Sequence, residues 1–391
     1  YIRRNLIKNL INKSANEYES FSDLPQELLE ELTDLVEYPS LICGEFDSTF
    51  LNLPPEVLTI VMRSHQRYIP LYLSDQSEID PLALNSKNIL NTKFLCISNG
   101  LNSSNETVAI GNERVLRARL ADAKFFVECD LSSSSLSRCE LLKKVSFAEG
   151  LGSLFDRVKR IEWIVEQLLK RINDESINKK NAFIAARFCK HDLVSQMVGE
   201  FPELEGIIGG KYLLKEGEPR EVALAVLEHY LPRFSGDSLP SSSIGAVLAL
   251  AERFELLISI FSKGESPSGS SDPFALRRAG NGILQIIFDQ NWEFDLNNLL
   301  DQFINHWITL FPEFTINQSE LFKDLTHYFH QRITSLLEDE GIDVDLVNAV
   351  TGSDLLLNPS DTKLRAYVLS EMRANNTLVT LQSVVTRASR L

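Results

Sequence analysis

A histidine and an aspartate, His191 and Asp192, stand side by side in the stretch FCKHDLVSQMVGEFPELEG, residues 188–206. An imidazole nitrogen and a carboxylate oxygen are both common ligands of divalent metal ions. The surrounding residues show helical periodicity, and neighbours on a helix point about 100° apart, so both side chains can face a core only at its edge. The first chemistry to consider is therefore metal-dependent hydrolysis, with this doublet holding the ion.

A complete metal site of this kind needs further ligands from two other helices. In the metal-dependent phosphohydrolases that use a His-Asp doublet, a histidine comes from a preceding helix and an aspartate from a later one. In this chain the preceding position is Leu154, which cannot bind a metal, and the later position is Glu252. Two or three poorly matched ligands seldom hold a catalytic ion. We therefore interpret His191, Asp192 and Glu252 as relics, predict no bound metal, and keep a metal-dependent phosphohydrolase as an alternative function.

Other catalytic signatures are missing from the sequence. It contains no GxxxxGK[ST] phosphate loop, no GxGxxG after a strand and no GxSxG nucleophile turn. Its six histidines are scattered, and its five cysteines include no CxxC pair, which gives no zinc site. The sequence therefore predicts no cofactor on this chain and no site that activates ATP or an amino acid. A purely structural helical adaptor is a further alternative function.

The composition is that of a globular chain with an acidic balance. The 391 residues are 44% hydrophobic and 24% charged, which suits a buried core and two or three domains. The formal net charge of −15 argues against indiscriminate nucleic-acid binding, so any RNA contact must depend on local cationic patches. No apolar run reaches the roughly 20 residues of a membrane span. The odd cysteine count suits a reducing compartment, so we expect a cytoplasmic protein.

Periodicity divides the chain into three parts. Residues 1–110 mix helical runs with the short strands SLICGEF and KFLCISNG, and a further strand is predicted at Tyr68–Tyr72. Residues 111–290 and 291–391 carry apolar residues at helical spacing. We therefore predict a mainly α protein with an N-terminal mixed α/β segment, a central helical domain and a helical C-terminal segment. The chain begins with Tyr1 and ends within a helical pattern, so we expect a piece of a longer protein.

Five stretches across residues 38–290 together resemble one family. They are GEFDSTFLNLPPEVLTIVMRSHQRYIPLY, GNERVLRARLADAKFF, DLVSQMVGEFPELEGIIGGKY, EHYLPRFSGDSLP and DPFALRRAGNGILQI. They are similar, in order and spacing, to the beta subunit of the bacterial-type tetrameric glycyl-tRNA synthetase. The resemblance implies two alpha and two beta subunits, with ATP and glycine activated on the alpha subunit and glycine tRNA bound and positioned by the beta subunit. It also implies that the central helical domain is a divergent HD-phosphohydrolase-like domain, that the anticodon-binding domain is absent, and that this chain alone is inactive.

The strongest candidate for RNA contact is the helix predicted over GNERVLRARLADAKFF. Its apolar arc comprises Val115, Leu116, Leu120, Ala123, Phe126 and Val127. Arg114, Arg117 and Lys124 fall roughly opposite, where they could contact tRNA phosphates. Arg119 falls inside the apolar arc, so we predict that it is buried, paired and structural. The alternative for the three opposite cations is an ordinary solvated helix face.

Two further groups of residues could contact RNA. His65, Arg67 and Tyr68 in SHQRYIPLY could bind an unstacked RNA end, or Tyr68 could enter a sheet while the other two cap a helix. Arg277 and Arg278 in DPFALRRAG lie at a helix N-terminus, which favours anions. Their partner could be tRNA, an acidic residue of this chain or the alpha subunit.

Overall fold

The computed structural model describes residues 2–64, 66–100, 102–267, 271–351 and 358–388. These residues are mainly helical, with one small antiparallel sheet near the N-terminus, so the predicted fold class is confirmed at this level. The chain divides into two compact units, Tyr1–Leu141 with His191–Ala223 and Leu142–Lys190 with Leu224–Leu391. The domain boundaries predicted near residues 110 and 290 stay predictions.

The α-helices of the described residues follow one another along the whole chain. In order, they are α1 (Ile2–Glu17), α2 (Gln26–Leu35), α3 (Pro55–Ser64), α4 (Asn105–Leu131), α5 (Ser135–Leu141), α6 (Leu154–Leu169), α7 (Lys179–Phe188), α8 (Gln196–Glu200), α9 (Ile207–Glu216), α10 (Arg220–Glu228), α11 (Ser243–Ser262), α12 (Leu276–Asp289), α13 (Leu296–Leu310), α14 (Gln318–Asp339), α15 (Val344–Val350), α16 (Pro359–Ala374) and α17 (Thr377–Ala388). Within the described ranges, no helix is long and apolar enough to cross a membrane.

The sheet of the first unit lies between two hydrophobic cores. Its strands are β1 (Phe21–Ser22), β2 (Pro39–Glu45), β3 (Ile69–Tyr72) and β4 (Leu90–Asn99), in the spatial order β1-β3-β4-β2. Alternate residues point to opposite faces. One face packs against residues of α1 and α2, and the other packs against residues of α3, α4 and α9. The predicted N-terminal strands are therefore present, and both faces of the sheet are covered.

Helix α4 also covers the outer edge of β2. The Asn105 side-chain amide donates a hydrogen bond to the Leu41 carbonyl at 3.1 Å, and the Glu113 carboxylate accepts one from the Glu45 backbone at 2.9 Å. Edge strands expose unpaired backbone groups, which otherwise invite pairing with another chain. These two contacts satisfy part of that edge and fix the rotation of α4, so they determine which of its faces reaches solvent.

The second unit is built around α11. Every residue from Ile244 to Ser262 except Leu256 is buried, and α6, α7, α12, α13 and α14 all pack against this helix. A helix that is apolar on all sides is typical of the middle of a bundle. Three charged residues, Glu252, Arg253 and Glu255, nevertheless lie within it. Each of them therefore needs partners inside the unit.

Candidate RNA-binding surface

The three cations predicted to contact tRNA phosphates lie on the exposed side of α4. Arg114, Arg117 and Lys124 are all exposed, while the buried stripe of the helix faces the core of the first unit. That stripe consists of Leu116, Leu120, Ala123, Val127 and Asp130. Lys124 Nζ lies 3.8 Å from the Glu128 carboxylate one turn later, a pair of the weak, solvent-screened type. The three cations are thus accessible, and their role in RNA binding stays a prediction.

The burial predicted for Arg119 is wrong, because this side chain is exposed. Val115, placed in the apolar arc with it, is 45% exposed as well. The buried stripe is narrower than the apolar pattern indicates, and the margin that carries Val115 and Arg119 faces solvent. Arg119 is therefore a fourth exposed cation on α4 rather than a buried ion-pair partner.

Exposed apolar residues also lie among these cations. The sequence pattern did not single out these apolar residues. Ile110 is 63% exposed and Phe125 is 60% exposed. Spacings of four and eleven residues bring Ile110, Arg114 and Phe125 to the same side of the helix. The same wheel that placed the cations opposite the core could have found both residues. This side of α4 therefore combines guanidinium groups with an aromatic ring.

The cluster around residues 65–68 does not form a basic-aromatic surface in the described part of the chain. His65 lies outside the described residues. Arg67 donates a 2.6 Å hydrogen bond from Nε to the exposed Glu31 carboxylate. Tyr68 is only 5% exposed, its ring stacks on Phe94 at 4.7 Å, and burial raises its pKa to about 12. The stacking role predicted for Tyr68 is therefore corrected, since its ring belongs to the core.

The N-terminus of α12 already holds an anion from this chain. The Asp272 carboxylate accepts hydrogen bonds from the backbone N–H groups of Leu276 at 2.7 Å and Arg277 at 2.9 Å. An acidic residue of this chain thus occupies the helix start, and the tRNA contact predicted for Arg277 and Arg278 stays a prediction. Arg278 is exposed, and its Nη1 donates to the Arg233 carbonyl at 2.6 Å. The guanidinium of Arg278 therefore braces the loop that carries Arg233.

His191 and Asp192 are fully buried, and they lie in a 3-10 turn, His191–Val194, rather than in the α-helix that the periodicity predicts. His191 Nδ1 accepts a hydrogen bond from Arg138 Nε at 3.2 Å, so Nε2 carries the proton and donates to the Gly209 carbonyl at 3.2 Å. Burial and the neighbouring Arg138 cation lower the pKa of His191 to about 3. Both ring nitrogens of His191 are thus used inside the protein.

The Asp192 carboxylate caps the N-terminus of α9. Its Oδ2 accepts backbone hydrogen bonds from Gly206 at 2.7 Å and Gly209 at 3.1 Å. A Cβ at Gly209 would lie 2.7 Å from that oxygen, so glycine is needed for the close approach. A carboxylate on the free N–H groups of a helix start is a stabilising arrangement. Asp192 therefore has a structural use that requires no ion.

Glu252, the third relic candidate, lies among cations of the second unit. Its Oε1 accepts from Arg157 Nη2 at 2.7 Å and from Lys190 Nζ at 3.2 Å. Burial alone would raise the pKa of Glu252, but Lys190 and Arg157 hold it well below its usual range. Among the described residues, no group of three or more His, Cys, Asp and Glu side chains is arranged to hold a metal ion.

Comparison with known proteins decides the family. A model of the family described as glycyl-tRNA synthetase beta subunit matches residues 2–352. The chain belongs to the glycyl-tRNA synthetase beta subunit family. It is 41% identical to the glycine–tRNA ligase beta subunit of Trichodesmium erythraeum, 40% identical to that of Gloeothece citriformis and 36% identical to that of Desulforamulus reducens. Each match covers 100% of this chain and 54% of the relative, so the chain spans about half the length of these relatives.

This member of the beta subunit family also contains a buried charge cluster that the sequence pattern did not reveal. Glu255 is fully buried and accepts hydrogen bonds from Arg157 Nε at 2.6 Å, Arg160 Nε at 2.7 Å and Ser259 Oγ at 2.8 Å. A buried carboxylate is tolerated when its oxygens are paired and hydrogen-bonded in this way. The signal that could have found the cluster is the run ERFE inside the otherwise apolar α11.

Proposed function

We propose that this chain is the part of a glycine–tRNA ligase beta subunit that binds glycine tRNA and helps to position it for aminoacylation by the alpha subunit. The observation that carries the proposal is the family match over residues 2–352, together with relatives whose printed name is glycine–tRNA ligase beta subunit. The ligase reaction belongs to the assembly of both subunits in this proposal. The chain alone is not expected to form glycyl-adenylate, and ATP is used by the alpha subunit.

The exposed side of α4 supports an RNA contact. Arg114, Arg117 and Lys124 lie on one side along about 15 Å of helix, given a rise of 1.5 Å per residue, and Arg119 is exposed on the other flank of the buried stripe. Guanidinium groups bind phosphate oxygens in pairs, whereas an ammonium acts as a point charge. In a chain of net charge −15, an RNA contact depends on local cations, and the exposed cations of α4 offer such groups to a phosphate backbone.

We also propose that the central helical part of the chain, residues 111–290, descends from an HD-phosphohydrolase-like domain that no longer uses a metal. Lys190 directly precedes the His-Asp doublet in the chain, and its ammonium contacts both Glu252 Oε1 at 3.2 Å and His229 Nε2 at 3.0 Å. A fixed lysine ammonium supplies positive charge to a carboxylate and an imidazole, as a metal ion does, but it cannot activate water. This supports a scaffold role over the phosphohydrolase alternative.

None of the five cysteines, all within the described ranges, forms a disulfide, which supports a reducing compartment, and we propose the cytoplasm. The function is tested by a binding titration of glycine tRNA against the full-length beta subunit with and without the alpha subunit, repeated at several salt concentrations. We expect affinity that falls steeply with salt, as phosphate contacts require. Salt-independent or absent binding favours the structural adaptor. A stoichiometric divalent metal that is lost on His191→Ala favours the phosphohydrolase.

A further inference from the structure

A surface loop of the second unit, residues 229–242 between α10 and α11, displays an aromatic ring. Phe234 is 62% exposed, while most large apolar side chains of this unit are buried. Residues 229–240 of this loop belong to the stretch EHYLPRFSGDSLP, which the RNA-contact candidates did not include. We call it the Phe234 loop. Charged side chains hold its backbone at several points along its length.

The buried Arg253 side chain donates hydrogen bonds to the backbone of the first half of the Phe234 loop. Its Nη1 donates to the His229 carbonyl at 3.2 Å, and its Nη2 donates to the carbonyls of Tyr230 at 2.9 Å and Pro232 at 3.1 Å. A Cβ at Gly282 would lie 2.6 Å from Arg253 Nε, so the glycine of α12 makes room for this guanidinium. One buried cation thus fixes three carbonyl groups of the loop backbone.

Carboxylates and a second arginine hold the remainder of the loop. Glu228 accepts four hydrogen bonds, from the backbone N–H and the hydroxyl of Ser241 and of Ser242, at 2.5–3.1 Å. The Asp237 carboxylate accepts from the Arg233 N–H at 2.7 Å, and Arg278 Nη1 donates to the Arg233 carbonyl at 2.6 Å. The backbone N–H and the carbonyl of Arg233, the residue before Phe234, therefore both have hydrogen-bond partners.

This arrangement orders the loop before any partner binds. Ordering a loop on binding costs conformational entropy, and a loop that is already fixed avoids that cost. The ring that it displays offers a flat apolar face, and the exposed Arg278 guanidinium is anchored at the neighbouring carbonyl. An exposed ring on the residue that follows the carbonyl bound by Arg278 matches the chemistry of an unpaired nucleobase with its phosphate, since bases stack on aromatic side chains and guanidinium groups bind phosphate.

We propose that Phe234 stacks on an unpaired base of the bound tRNA, with Arg278 next to that nucleotide. The proposal rests on the proposed function, because it names a contact of the same RNA partner. It differs from the α4 face in the kind of interaction, since stacking is an apolar contact with a base and the α4 cations contact phosphates. The two contributions therefore respond differently to salt, and this difference makes them separable.

The test compares Phe234→Ala and Phe234→Trp in the full-length beta subunit bound to the alpha subunit. Phe234→Ala is expected to weaken tRNA binding by about 5- to 150-fold, the loss of one aromatic–base stack. The slope of log affinity against log salt stays as in the wild type, because no phosphate contact is removed. Phe234→Trp should bind tRNA about as tightly as the wild type, because tryptophan also supplies a ring that can stack. Phe183→Ala, at another exposed phenylalanine of the same unit, is the matched control and should leave affinity unchanged.

Each result of this experiment has a defined meaning. If Phe234→Ala leaves tRNA affinity unchanged while the wild type binds with a steep salt dependence, the stacking proposal is overturned and the proposed function stands. If the variant instead loses the alpha subunit during purification, the loop is a protein interface and the stacking proposal is again overturned. If the wild-type complex does not bind tRNA, the proposed function itself fails. The base is located by repeating the titration with a tRNA that lacks its unpaired 3′-terminal nucleotides. If Phe234→Ala no longer weakens binding of this tRNA, the base lies at the 3′ end. If Phe234→Ala still weakens binding, the base lies in a loop of the tRNA.

Discussion

Lys190 Nζ lies 3.2 Å from Glu252 Oε1, and the Lys190 side chain has no exposed surface. The same ammonium lies 3.0 Å from His229 Nε2 and 3.8 Å from the centre of the Tyr230 ring. His229 Nδ1 is 2.6 Å from the Val226 carbonyl, which places its proton there and leaves Nε2 to accept from the lysine. The Lys190 ammonium therefore lies between a carboxylate, an imidazole and an aromatic ring, and it contacts all three.

Replacing this cation should strongly destabilise the protein. Lys190→Met leaves Glu252 buried with one cation fewer, and breaking a buried ion pair typically costs about 3–5 kcal/mol. The measurement is the free energy of unfolding in urea at pH 7. Lys190→Met combined with Glu252→Gln should be less destabilised than Lys190→Met alone, because the uncompensated charge is gone.

The matched control for Lys190→Met is Lys170→Met, which removes an exposed ion pair to Glu166. Exposed substitutions usually change stability by no more than about 0.5 kcal/mol. Equal effects of the two lysine substitutions would contradict the role given to Lys190.

His191 should make the stability of the protein fall in mild acid. Its pKa is about 3 in the folded protein, against an ordinary value of 6.5. Between these values the unfolded chain binds a proton on this residue and the folded chain does not, so stability falls as the pH drops below 6.5. From pH 6.5 to pH 5 the loss from His191 is about 2 kcal/mol at roughly 1.4 kcal/mol per pH unit.

Urea unfolding at pH 7 and pH 5 tests this contribution. His191→Gln should reduce the difference between the two pH values, whatever it does to the stability at pH 7. His327→Gln, at an exposed position, is the control and should keep the wild-type difference. An unchanged pH dependence in His191→Gln would show that His191 is not held neutral in the folded protein.

Gly280 on α12 should tolerate no side chain. A Cβ at this position would overlap the Tyr328 hydroxyl, which donates a 2.5 Å hydrogen bond to the Leu276 carbonyl. Because Tyr328 is buried, overpacking of this kind typically costs about 1–3 kcal/mol. Gly199→Ala is the control, since a Cβ there meets nothing within 4 Å and alanine favours the helix. A Gly280→Ala protein whose melting temperature equals or exceeds that of the wild type would refute the packing described for α12.

The sequence predicted elements better than it predicted contacts. The strands of residues 1–110 and the helices beyond them follow from periods of two and 3.6 residues, which are local properties. The exposure of Arg119 and the burial of Tyr68 depend on which arc of a helix or which end of a strand the core covers. Lys190 and Glu252 are 62 residues apart, so only the folded chain shows that they meet.

The exposed cations of α4 give the most direct test of whether this chain binds tRNA. Each phosphate contact adds roughly 0.7–0.9 to the slope of log affinity against log salt. The triple variant Arg114→Gln, Arg117→Gln and Lys124→Gln should therefore weaken tRNA binding and flatten the slope by about two or more. Folding should be nearly unchanged, because all three side chains are exposed.

The measurement is a glycine tRNA titration of the full-length beta subunit with the alpha subunit, at several salt concentrations. A triple variant with the same loss of charge at exposed lysines, Lys170, Lys179 and Lys180 all changed to Gln, separates local contacts from net charge. We expect a weaker and less salt-sensitive complex for the α4 variant and a near wild-type complex for the control. Wild-type affinity and wild-type slope in the α4 variant would contradict the RNA-binding role of this helix face.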